Sequence, residues 1–236
     1  MFGAFARLRR RPSLPAAICL GSGLVLWAIT RPYEGLIASL MPLAILAGRG
    51  LMADSQSRLR WLTRVALPLL CILVGGGWGL GWYHQQVTGS PWKWPYRLYE
   101  ETYTRRVATL STLFFWTPLG TRERTIPSLE YQSSAAQLRM AATQPVLYGL
   151  TKAVRQWWFH VGLIWTLPLY LGCLSTIKQT VANRAVSARP RAWSMVSIAL
   201  VGIAILLQRS AGFPHYAAPI QPLLVLLIVQ GLRYLW

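Results

Sequence analysis

Three short stretches of the chain hold its most chemically capable side chains, and each lies where an apolar run ends. Arg31-Pro32-Tyr33-Glu34-Gly35 separates the first two runs. His84 closes the third and leads into Val87-Thr88-Gly89-Ser90-Pro91-Trp92-Lys93-Trp94-Pro95-Tyr96. Arg209 closes the fifth, ahead of Gly212-Phe213-Pro214-His215-Tyr216-Ala217-Ala218-Pro219. Arg31, His84, Lys93 and Arg209 would together make a cationic rim suited to a lipid-linked phosphate or diphosphate. Trp92, Trp94, Tyr96 and Tyr216 offer faces that stack on sugar rings or settle among headgroups. Tyr33 and His215 complete this substrate-binding set. Glu34 is the only acid in a short outer turn, and as a general base it must stay ionised within reach of an acceptor hydroxyl. Its plainer role is an ion pair or hydrogen bond with Arg31 that fixes the turn. For His84 and His215 the plainer role is a hydrogen bond to a carbonyl, against phosphate binding or proton transfer. Arg31 and Arg209 serve equally well as side chains snorkelling to headgroups. A metal held by Glu34, His84 and His215 requires three separate turns to converge, so the spacing signals no metal and names no cofactor; a divalent ion stays open.

The elements that must position these groups follow from composition. Of 236 residues 54% are hydrophobic and only 13% charged, with a mean hydropathy of +0.37. Soluble domains carry about twice that charge, so the chain reads as an all-α integral membrane protein. Its 24 Lys and Arg against 6 Asp and Glu would point a soluble protein toward nucleic acid. Here the apolar residues fall in membrane-length blocks, so the expected partner is membrane lipid and not nucleic acid. Six blocks qualify as spans: Leu14–Thr30, Tyr33–Gly48, Leu62–Tyr83, Trp157–Ile177, Ala192–Gln208 and Ala217–Trp236. The second is short for a core of about 30 Å and reads as tilted or partly re-entrant.

Alternating the spans sorts the cations. Arg7, Arg9, Arg10 and Arg11 fall on one side with Arg49, Arg58, Arg60, Arg64, Lys178, Arg184, Arg189, Arg191 and Arg233. The short connections opposite hold only Arg31 and Arg209. The positive-inside rule makes the Arg-rich side cytoplasmic, with both termini inside and the chain multi-pass in the cell membrane. Five acids (Glu34, Glu100, Glu101, Glu123, Glu130) then face outward. The chain divides into three regions: residues 1–83 with three spans, 84–156 as an outer loop subdomain, and 157–236 with three more spans. Within the loop, Val107–Leu119 reads as an interfacial helix and Ser133–Ala142 as helical. The stretch from Val146 reads as a lead-in to the fourth span, with Lys152 and Arg155 at headgroup level.

Other signals are structural. Gly75/Gly79 and Gly77/Gly81 form GxxxG pairs that let a neighbouring backbone approach, in a context unlike a dinucleotide loop. Cys19, Cys71 and Cys173 read as small buried apolar side chains. The N-terminal run lacks a small-residue cleavage site and reads as a retained span. Walker A, HExxH and GxSxG signatures are absent. Ionisable groups are missing from the middle of the spans, which argues against a transporter.

The "RPYEG" turn, the "VTGSP…PY" turn and the "HYAAP" entry to the last span resemble, in that order, bacterial glycosyltransferases of the GT-C class. They are most similar to the glycosyltransferase family 39-like, dolichyl-phosphate-mannose–protein mannosyltransferase-like group. The resemblance runs from about Arg31 to the C-terminus. It implies a GT-C-like fold, an outer-face active site and a polyprenyl-phosphate sugar donor, with transfer to a lipid, glycan or protein. Relatives carry an additional N-terminal half whose first outer loop supplies an acid, and an Arg before the Val-Thr-Gly triplet where this chain has Gln86. The chain is therefore expected to be a truncated or C-terminal module, either catalytic or a non-catalytic scaffold needing a separately encoded N-terminal partner.

Overall fold

The computed structural model describes residues 1–95, 98, 140, 143–182, 192–207 and 214–236. Among them all regular structure is helical and there is no strand. The order is α1 (Phe2–Leu8), α2 (Leu14–Thr30), α3 (Pro32–Leu51), α4 (Ser55–Trp61), a π-helical turn (Leu62–Ala66), α5 (Leu67–Thr88), α6 (Pro145–His160), α7 (Thr166–Ala182), α8 (Ala192–Leu207), a 3-10 segment (Pro214–Ile220) and α9 (Gln221–Leu235). Three helices are long and apolar enough to cross a membrane: Pro32–Leu51, the continuous Ser55–Thr88, and Ala217–Leu235. Leu14–Thr30 and Trp193–Leu206 are shorter apolar helices.

Proline and glycine set the boundaries. Arg31 precedes Pro32, and the residue before a proline is pushed out of the helical region. Arg31 accordingly takes φ −146° and ψ 68°, α2 stops at Thr30, and α3 opens on Pro32, whose missing N–H costs nothing at that position. α3 then runs 20 residues, about 30 Å at helical rise. It is a full-length helix and not the short or re-entrant one expected. The third helix is also longer than expected: with α4 and the π-turn it covers 34 residues. Pro68 lies just past that π-turn. Its ring would strike the carbonyl of Arg64, and the wider turn relieves the clash. Asp54 caps the start, its Oδ2 accepting from the Ser57 N–H at 3.1 Å. Hydrogen bonding from Ser57 holds this carboxyl below the usual Asp range.

The predicted span Trp157–Ile177 is not one helix. α6 ends at His160, a turn follows with Gly162 at φ 61°, and α7 starts at Thr166. Only glycine adopts that backbone without strain, and the Thr166 hydroxyl donates to the Gly162 carbonyl at 2.6 Å. The lead-in helix from Val146 is present as α6. The predicted helices Val107–Leu119 and Ser133–Ala142 lie outside the described residues, Met140 excepted, as do Arg184, Arg189 and Arg191.

The helices fall into two compact units. The first comprises Met1–Gly77, Val161–Gly202 and Ala217–Trp236. Its core gathers Phe5, Leu8, Ala16, Ala17, Leu20, Leu24, Leu46, Val65, Trp193 and Leu223. Phe5 meets Trp193 edge to face with ring centroids 4.7 Å apart, which fastens the short α1 to the bundle. The closest approach in this unit is between α7 and α9. A Cβ at Gly172 would overlap the Leu227 carbonyl, and one at Gly231 the Pro168 carbonyl. Beside this contact Gln230 Nε2 donates to Ser175 Oγ at 2.6 Å and Thr176 Oγ1 at 3.1 Å. Both hydroxyls donate in turn to the Gly172 carbonyl. Small residues plus a satisfied polar clasp are how helices associate where lipid competes for apolar surface.

The glycine run of α5 does not play that part. Nothing lies within 4 Å of where a Cβ would stand at Gly75, Gly77 or Gly79. Only Gly76, against Val25, makes a close contact, while Gly81 reaches Pro91 at an ordinary 3.7 Å. The cysteine expectation is likewise corrected: Cys19 and Cys71 are exposed and Cys173 half-buried, all as free thiols.

The second unit comprises Trp78–His160 and Ile203–Tyr216. Its described helical parts are the end of α5, α6, the end of α8 and the start of the 3-10 segment.

Candidate functional site

Arg31, Tyr33 and Glu34 belong to the first unit, at the corner where α2 becomes α3. The corner is a single residue wide. The Arg31 N–H donates to the Trp27 carbonyl at 2.7 Å, and the Arg31 carbonyl accepts from the Gly35 N–H at 2.8 Å. Gly35 is closed off by the Trp27 side chain, since a Cβ there would overlap it. This packing helps enclose the first turn of α3. Glu34 is only 4% exposed, while Arg31 and Tyr33 are half-buried. Glu34 sits in the first turn of α3, where the helix dipole favours a negative charge.

His84, Lys93, His215 and Tyr216 belong to the second unit. His84 is 4% exposed, and its Nδ1 lies 3.3 Å from the Pro91 carbonyl. A carbonyl only accepts, so Nδ1 carries the proton; in the neutral ring Nε2 then holds the lone pair. This bond to a carbonyl is the plainer of the two roles considered for His84. The imidazole also rests on Trp94, with centroids 4.7 Å apart.

The Val87–Pro91 turn owes its shape to Thr88 and Gly89. Thr88 Oγ1 lies 2.8 Å from the His84 carbonyl and 3.0 Å from those of Ser90 and Lys93. Gly89 takes φ 75° and its N–H donates to the Gln85 carbonyl. That is the left-handed cap with which helices commonly end. Lys93 is half-buried on this turn, and Trp92 stands exposed. His215 is exposed within the 3-10 segment that also contains Tyr216. Tyr96 and Arg209 lie outside the described residues. Among the described residues no group of three or more His, Cys, Asp and Glu is placed to hold a metal ion.

One group in the second unit escaped the sequence reading. Lys152 was expected at headgroup level, yet it is 1% exposed. Its Nζ donates to the Ile205 carbonyl at 2.7 Å and lies 5.2 Å from the Tyr148 ring centroid. Ile205 lies near the end of the described part of α8, so the ammonium meets a main-chain acceptor there. Burial, and then the nearby Arg155, pull its pKa down to about 8. A signal was available: the four-residue spacing of Tyr148 and Lys152 puts both on one face of α6.

No family model matches the chain, and neither do curated proteins or solved structures.

Proposed function

We propose that the chain is a GT-C-type, glycosyltransferase-like membrane protein that takes a sugar from a polyprenyl-phosphate donor at the outer face of the cytoplasmic membrane. In this reading it has six spans, with the three long helices joined by Leu14–Thr30 and the segments around α7 and α8. Both termini are cytoplasmic. The observation that carries the reading is Glu34, a carboxylate enclosed at the mouth of an apolar helix directly after Arg31. Glu34 accepts the proton of an acceptor hydroxyl as that oxygen bonds to the anomeric carbon. The bond from that carbon to the phosphate oxygen breaks, and polyprenyl phosphate leaves with the electron pair. Arg31 supplies a cation for the phosphate.

The test is sugar transfer from radiolabelled polyprenyl-phosphate hexoses in membranes holding the chain. Glu34→Gln is expected to abolish transfer while leaving protein yield and melting intact. Full activity in both Glu34→Gln and Arg31→Ala removes these residues from the mechanism. Cysteine-labelling from either side of sealed vesicles tests the sidedness, with residues added at each terminus expected to label only from the cytoplasm.

A second reading has its own observation. Leu67, Leu70, Val74 and Trp78 of α5 are exposed, and Gly75, Gly77 and Gly79 beside them are open. That surface suits a further apolar helix, so the chain is alternatively a non-catalytic module completed by a separately encoded N-terminal partner. Co-purification of a membrane protein bearing an outer-loop acid favours this reading, and transfer by the isolated chain overturns it.

A further inference from the structure

The first unit contains a cleft of about 490 Å³ at the end opposite the Arg31 corner of α2. It is lined by Arg11 and Ser13 just ahead of α2, by Leu14 and Pro15 at its start, and by Thr63 and Arg64 from the π-turn. The two guanidiniums set its character. Among the described residues neither Arg11 nor Arg64 has a side-chain hydrogen bond or ion pair. Neighbouring cations differ: Arg58 donates to the Leu51 and Ala53 carbonyls, Arg60 to the Ser57 hydroxyl, and Arg9 lies over the Phe5 ring. The acid nearest in sequence to Arg64, Asp54, is occupied in capping α4.

Other donors converge on the cleft. Ser13 stands at the N-cap of α2 without capping it, so its hydroxyl is unused. The first-turn N–H groups of α2 have no intrahelical partners. Thr63 borders the cleft but gives its proton to the Leu59 carbonyl at 3.0 Å, which leaves the donation to the guanidiniums and Ser13. The π-turn adds one residue to the turn and so sets which side chains of this stretch face α2, a use to which such turns are often put. Cations crowd this part of the chain. Burial, then Arg49 and Arg10, push the Arg9 guanidinium below its ordinary range. An anion is the missing counterpart.

We infer that the Arg11–Arg64 cleft binds a phosphate group, supplied by the headgroup of an anionic phospholipid. Two forked guanidiniums match phosphate oxygens bidentately, the start of α2 adds its dipole, and Ser13 adds a hydroxyl. Such basic pockets between helices are a known form of headgroup site. The apolar α2 begins at the rim, so the acyl chains of a lipid held there by its headgroup have an apolar helix to run along. The proposed sidedness enters only in assigning the cytoplasmic leaflet; binding in detergent does not depend on it.

The experiment uses the full chain in a neutral detergent. Phosphatidylglycerol and phosphatidylcholine are titrated separately and retention is read by native mass spectrometry. The wild type is expected to hold phosphatidylglycerol on the order of tenfold more tightly. Arg11→Gln with Arg64→Gln abolishes that preference. Arg7→Gln with Arg10→Gln removes the same charge outside the cleft and keeps it. Both pairs are surface positions, and a melting curve verifies that each variant folds. Equal losses in the two double variants overturn the cleft in favour of diffuse charge. Displacement of phosphatidylglycerol by millimolar inorganic phosphate overturns the headgroup as source, and failure to displace it supports that source.

Discussion

Two glycine-bearing regions of the molecule behave in opposite ways. The α7–α9 seam has one glycine on each helix, Gly172 and Gly231, in no repeated motif, yet there the backbones touch. α5 has four glycines in five positions at its centre, with GxxxG spacing, and three of them face open space. Glycine spacing permits close approach, but a partner helix must bring something to use it. On α7 and α9 that something is the clasp of Gln230, Ser175 and Thr176. No comparable polar group stands next to the glycines of α5, whose neighbours are Ile72, Leu73, Val74, Trp78 and Leu80.

The sharpest way to break this comparison is Gly231→Leu. Its Cβ falls on the Pro168 carbonyl, and backbone cannot move aside as a side-chain tip can. A loss of about 3 kcal/mol or more is expected, read as thermal unfolding in detergent. An unchanged melting point would mean that the seam is not a close contact.

The next effect separates neutral from charged burial. The seam hides amide and hydroxyl groups, which do not titrate, whereas the second unit hides the Lys152 ammonium. Unfolded, Lys152 keeps its proton up to the ordinary 10.5; folded, it releases it near 8. Between those values the unfolded chain binds more protons, so stability rises with pH, by about 3 kcal/mol across the window. Below pH 8 the contribution is flat. Lys152→Met is expected to remove the slope between pH 8 and 10.5, and a slope that survives the substitution excludes Lys152 as its source. Gln230→Leu is smaller. Ser175 and Thr176 keep their bonds to the Gly172 carbonyl, so only the clasp is lost, about 1 kcal/mol, with no change in pH dependence.

The fold was legible where composition and punctuation agree. α2 matches its predicted bounds, and Arg31-Pro32 marks its end. The fourth span misled because apolar content masked the punctuation: Gly162, Thr166 and Pro168 form a stop and restart that hydropathy averages away. At the candidate site, the Val87–Pro91 stretch was recognisable as a turn from Gly89 and Pro91. Its internal job was not, since the Thr88 hydroxyl's place among three carbonyls depends on a backbone path no spacing rule specifies. Lys152 was misread for a related reason. A lysine in an amphipathic helix ordinarily snorkels, and only the arrival of the α8 end at residue 205, 53 positions away, offers it a buried acceptor.

The smallest prediction bears on the α5 side of the comparison and reverses sign. If Gly75 and Gly79 face open space, adding a methyl to each costs no contact and removes the entropy glycine loses on entering a helix. Gly75→Ala and Gly79→Ala are each expected to stabilise the isolated chain by about 0.5 kcal/mol. Destabilisation would show that these glycines are packed after all. The same pair of variants discriminates the two functional readings. A separate partner helix seated on this face would lose close approach to both methyls, so association would weaken while the isolated chain gained stability. If the chain acts alone, the gain in stability comes with unaltered transfer activity.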